Sequence, residues 1–115
     1  MNNKHRKLLL EELILNPPRA EEIKEELAAF DWDCDRSLVV LTLEKIANIL
    51  LAIIADKLSV GDIYNWANAI EGRDDIAYDE NNAERINALI YELANPYLTE
   101  TLTKERAEYL LDLCR

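Results

Sequence analysis

Two glycines and three prolines in 115 residues leave this chain few of the residues that tight turns demand. Two-residue hairpins draw on Asn-Gly, Asp-Gly or Gly-containing turns because their central residues need positive φ. An all-β fold is therefore not expected, and the chain reads as helices with few breaks. The length fits one domain, residues 1–115, large enough to bury a self-sufficient core.

The apolar pattern places those helices. Leu8, Leu9, Leu10, Leu13, Ile14 and Leu15 give a broad face to a first helix over 4–15, behind the basic start Lys4, His5, Arg6 and Lys7, which reads as a solubilising end. Asn16-Pro17-Pro18 stops it, because a residue before proline is driven out of the α region. Pro18 then opens a second helix running to about Ala29, with Glu21 and Glu22 in its positive first turn and Ala20, Ile23, Leu27 and Phe30 on one side. Residues 31–35 read as a loop. Ser37 to Leu41 is β-branched enough to be extended; a lone strand has no partner, so it reads as an extended connector or as the start of helix three.

Thr42 is the expected N-cap of helix three, with Glu44 in its first turn. That helix, about 43–56, is apolar nearly all round, which predicts the buried centre of the domain. Ser59 with Asp62 three positions on is a weakened capping box for helix four, Leu58 staples onto Ile63, and Gly72 fits the left-handed residue past its end. Ile63, Trp66, Ala67 and Ile70 share its inner face. Residues 73–82 are polar and acidic and read as a loop. Helix five spans about 83–94 with Ile86, Leu89, Ile90 and Leu93 inward, and Asn95-Pro96 ends it. Thr103 caps helix six, whose buried side is Ala107, Leu110, Leu111 and Cys114. The expected fold is an all-α, single-domain, irregular or orthogonal bundle of about six helices.

Composition narrows function. There are 13 Lys+Arg against 23 Asp+Glu, a net charge of −10. An acidic balance opposes binding to nucleic acid, whose phosphates need a basic face, and docking on anionic lipid. The longest apolar run, Ile49 to Ala55, is far short of the roughly 20 residues of a membrane span. With no signal peptide in view, a cytoplasmic protein is the expectation, and Cys34 and Cys114 read as thiols. Gly61 and Gly72 stand in neither a P-loop nor a dinucleotide-binding spacing. His5 is the only histidine and lies at the chain start, so neither a Ser-His-Asp arrangement nor a histidine-based zinc site is supported. No enzyme activity and no cofactor is expected.

Three clusters remain. Asp31, Asp33 and Asp35 alternate like the opening of a calcium loop, but the sixth and twelfth positions hold Arg36 and Thr42 where that loop needs glycine and glutamate. A solvated acidic turn, anchored by Trp32, fits better than a metal site. The stretch from Trp66 to Ile76 gathers Asn68, Glu71, Arg73, Asp74 and Asp75 without a nucleophile. Its plain structural reading is that Trp66 packs, Gly72 caps and Arg73 pairs with a nearby carboxylate. Finally, residues 8–35 carry nine acids and two bases, and residues 71–84 carry six acids and one base. Such runs are ordinarily solvated faces; the functional alternative is a docking surface for a basic protein, where complementary charge speeds and selects association.

Asp31-Trp32-Asp33, the Leu41-Thr42 helix start, Leu58-Ser59, Trp66-Ala67-Asn68, Glu71-Gly72-Arg73-Asp74-Asp75-Ile76, Leu93-Ala94-Asn95-Pro96 and Leu102-Thr103 resemble a group of small bacterial all-helical proteins. In size and acidity that group is similar to the immunity proteins that accompany bacterial toxins. The resemblance carries over no catalytic residue. The clustering of acids in two loops and the lack of catalytic equipment, with that likeness beside them, lead to the expectation of a non-enzymatic protein, monomer or homodimer, of the immunity or inhibitor type that covers a basic site on a toxin or nuclease. The expected contacts are Asp31, Asp33, Asp35, Glu71, Asp74, Asp75 and Asp79, with Tyr78 as an aromatic anchor. The competing expectations are a structural or regulatory helical module and, behind it, a carboxylate metal-binding protein.

Overall fold

The computed structural model describes residues 3–30 and 37–115. Among these, six α-helices and two short strands surround one hydrophobic core: α1 (Asn3–Leu15), α2 (Ala20–Leu27), β1 (Val39–Leu41), α3 (Leu43–Ile54), α4 (Val60–Ile70), β2 (Ile76–Tyr78), α5 (Ala83–Ala94) and α6 (Lys104–Leu113). The fold is all-α in class, as the composition implies. In it α3 packs chiefly on α6, and α4 on α5 and α2.

Helix boundaries follow local chemistry. The Thr42 and Thr103 side chains accept from the backbone N–H of Lys45 and Arg106. At α4 both halves of the capping box form: Asp62 N donates to Ser59 Oγ at 3.1 Å and Ser59 N to Asp62 Oδ2 at 3.3 Å. Helix α3 closes in a Schellman arrangement, with Asp56 N bonded to Ile53 O, Lys57 N to Ala52 O, and Asp56 at φ 61°. Pro17–Arg19 forms a 3-10 turn, so α2 starts at Ala20 rather than at Pro18.

The Pro17-Pro18 break has a consequence deep in the core. A continuing helix would satisfy the Ile14 carbonyl with the N–H of residue 18, which proline lacks. Trp66, fully buried on α4, donates its indole Nε1–H to Ile14 O at 3.3 Å instead. The same residue therefore fills the space between α1 and α4 and satisfies the end of α1.

Several expectations need correction. Residues 39–41 are a paired strand, not a connector, and 73–82 is not all loop. Val39, Val40 and Leu41 lie parallel to Ile76, Ala77 and Tyr78, joined through α3 and α4. Parallel pairing of three-residue strands needs such a crossover, so neither strand is visible without the other. Helix α3 is not enclosed: Leu43, Ile46, Ile49, Leu50 and Ile53 are buried, whereas Glu44, Asn48 and Leu51 face solvent, Leu51 at 45% exposure. On α1, Leu8 and Leu15 are exposed, and the buried stripe is Arg6, Leu9, Leu10, Leu13 and Ile14. The basic start is thus not merely solubilising. Cys114 is a half-buried free thiol.

Candidate binding surface

The segment between α4 and α5 is held from below by one buried carboxylate. Gly72 adopts φ 78°, turning the chain out of α4. Asp75 then enters the core at 1% exposure. Arg73 grips it with two bonds, Nε to Oδ1 at 2.9 Å and Nη2 to Oδ2 at 3.0 Å. Arg6, 5% exposed on α1, donates Nε to Oδ2 at 2.9 Å and lies over the Phe30 ring, 5.7 Å from its centroid. Burial pushes the Asp75 carboxyl up, but the hydrogen bonds and charge of Arg73, then of Arg6, outweigh it and hold the group below the usual aspartate value. Its main chain also joins in, since Asp75 O accepts from the N–H of Leu38 and Val39.

Asp75 is therefore not a partner contact. It is consumed by two guanidiniums and faces no solvent. The plain reading of Trp66, Gly72 and Arg73 as packing, capping and pairing is what the structure contains. Sequence reasoning missed Arg6, although a signal was present: 6, 9, 10 and 13 share the helical spacing of the buried face of α1.

With Asp75 anchored, its neighbours point elsewhere. Glu71 and Asp74 are exposed, and Tyr78 and Asp79 are half-buried. Burial and the nearby Glu71 charge raise the Tyr78 hydroxyl above its ordinary value. Asp79 is partly engaged: its N–H donates to Leu41 O and its Oδ2 accepts from Asn82 Nδ2. The expected contacts Asp31, Asp33 and Asp35, like Trp32 and Cys34, lie outside the described residues. Among the described residues no group of three or more His, Cys, Asp or Glu side chains could hold a metal ion.

A feature absent from the sequence reading adjoins this loop. Asn95, just past α5, donates Nδ2 to Tyr91 O at 2.8 Å and to Glu71 Oε2 at 3.2 Å. Its own carbonyl accepts from Leu98 N and from Thr99 Oγ1. The turn so fixed presents Tyr97 at 96% exposure and Leu98 at 73%. Asn95 thus ties the acidic loop to an outward aromatic and aliphatic pair. Beyond it, Arg106 holds Glu92 through two bonds of 2.8 and 2.7 Å and lies 4.6 Å from the Tyr109 ring centroid.

Comparison with protein-family models, curated proteins and solved structures finds no match. Among the described residues no helix is long and apolar enough to cross a membrane.

Proposed function

We propose that this chain is a non-enzymatic cytoplasmic protein-binding module of the immunity or inhibitor type. Its acidic surface covers a basic site on a protein partner. The observation that carries this reading is the Asn95 tie between Glu71 and the turn bearing Tyr97 and Leu98. Adjacent large apolar side chains exposed together mark an interaction surface, and aromatic anchors are enriched at interface centres. Glu71, tied to this turn through Asn95, and the exposed Asp74 of the same loop supply negative charge, with the half-buried Tyr78 near Glu71. Long-range attraction then speeds encounter, while Tyr97 and Leu98 hold the complex.

The test is affinity capture from the protein's own cells, eluted with rising salt and run beside two variants. A basic protein retained by the native chain, released by salt, and lost with Tyr97→Ser/Leu98→Ser and with Glu71→Lys is the expected result. Equal retention by all three chains, or a clean homodimer with no partner, overturns the assignment and favours a structural module.

A further inference from the structure

Against a net charge of −10, the charged side chains around one groove are mostly basic. A groove of about 620 Å³ runs between α1 and β1, and a second cavity of about 290 Å³ adjoins it, sharing Ile14, Leu15 and Lys45. Leu15, Leu38 and Val40 give the groove an apolar floor, and Leu15 is 68% exposed. Lys7, Lys45 and Lys57 stand around it, against the single acid Glu11. Among the described residues, neither Lys7 nor Lys57 takes part in an ion pair, although acids outnumber bases along the chain.

Backbone polarity is the second observation. Val39 N donates to Asp75 O, and Leu41 O accepts from Asp79 N. These bonds turn Val39 and Leu41 toward β2, so the intervening Val40 directs its N–H and C=O to the outer edge of the sheet. The Val40 carbonyl accepts from Lys45 Nζ at 3.0 Å on the surface. The Val40 N–H has no hydrogen-bond partner among the described residues. Val40 itself lines the groove and is exposed.

We propose that this groove takes an extended segment of another protein, one that alternates acidic and apolar side chains, as a third strand on the free edge of β1. The Val40 N–H supplies the main-chain bond, the floor takes the apolar side chains, and the lysines meet the carboxylates. Charge decides the occupant. A second copy added edge to edge would bring the same lysines face to face, whereas an acidic segment neutralises them. This site uses none of the residues assigned to the acidic surface, so either can fail alone.

The probe is a labelled soluble peptide of alternating valine and glutamate, titrated by fluorescence anisotropy, with a valine–lysine peptide as control. The expected result is salt-sensitive binding of the acidic peptide alone, with the largest amide shift in the NMR spectrum at Val40. Val40→Pro removes the edge donor but no bond to β2, a placement proline tolerates at a sheet edge. It should weaken binding about tenfold, the scale of one lost hydrogen bond. Lys7→Glu/Lys57→Glu, both at exposed positions that leave the strand untouched, should weaken it by a similar factor even if Val40→Pro unfolds the strand pair. Absence of binding, binding indifferent to the lysine reversals, or a concentration-dependent dimer that Val40→Pro dissociates would each overturn the proposal.

Discussion

Arg6 Nε donates to Asp75 Oδ2 at 2.9 Å across 69 positions of sequence, with both side chains buried. The bond joins the first helix to the root of the acidic loop. Arg73 completes the grip from two residues away. A buried carboxylate is tolerated when cations and hydrogen bonds meet it, so the two arginines on Asp75 fix how the segment from Glu71 to Tyr78 leaves the core.

Removing the carboxylate charge takes away the buried anion on which two guanidiniums converge. Asp75→Asn should therefore cost about 3–5 kcal/mol, the range for breaking a buried pair. Urea unfolding at neutral pH reads this directly. A loss under about 1 kcal/mol would mean that the pair stays hydrated and that the loop is held by its strand bonds.

The same group sets an acid limb. The folded value of Asp75 lies below its ordinary one, because two arginines outweigh the effect of burial. A carboxyl depressed in the folded state contributes stability that is present above the unfolded value, about 3.9. That contribution is lost as pH falls through the folded value. The native chain should lose more stability than Asp75→Asn between neutral pH and about pH 2, so their unfolding midpoints draw together. Parallel decline of the two would contradict the assignment.

Helix ends were legible because their chemistry is local. Thr42, Ser59 with Asp62, and Thr103 act on backbone groups three positions away, and each caps as its neighbours imply. The strands were not legible, because Val39–Leu41 and Ile76–Tyr78 are three residues each and define one another only across α3 and α4. Asp74 and Asp75 make the limit plainest. The two adjacent residues are of one type, yet Asp75, met by Arg6 of α1 and by Arg73, is buried while Asp74 faces solvent. At the candidate surface, Glu71, Asp74 and Tyr78 were read from their acidic run. The exposed turn was not, since Tyr97 and Leu98 look like ordinary core residues until Asn95 fixes the chain around them.

Trp66→Phe isolates the bond that closes α1. Phenylalanine keeps most of the apolar volume but leaves Ile14 O, at the Pro17-Pro18 break, without its donor. An unpaired buried carbonyl costs about 1–3 kcal/mol. The variant should lose about that much in thermal or urea unfolding, with amide exchange quickening in the last turn of α1. Full stability would show that water reaches this carbonyl.

The two glycines should respond in opposite directions to the same change. Gly61 lies in the first turn of α4, and a Cβ there meets nothing nearer than Ser59 Oγ at 3.8 Å. Gly61→Ala reduces the freedom of the unfolded chain without strain and should add about 0.4–1 kcal/mol. Gly72 has open space around it, so no clash opposes a side chain, but its φ of 78° does. An alanine held in the left-handed region should cost about 1–2 kcal/mol. Because Gly72 also aims the chain from α4 toward Asp75, its alanine variant should loosen Glu71 and weaken partner capture, whereas Gly61→Ala should leave capture unchanged. Equal effects of the two substitutions on unfolding would show that α4 ends without the left-handed turn.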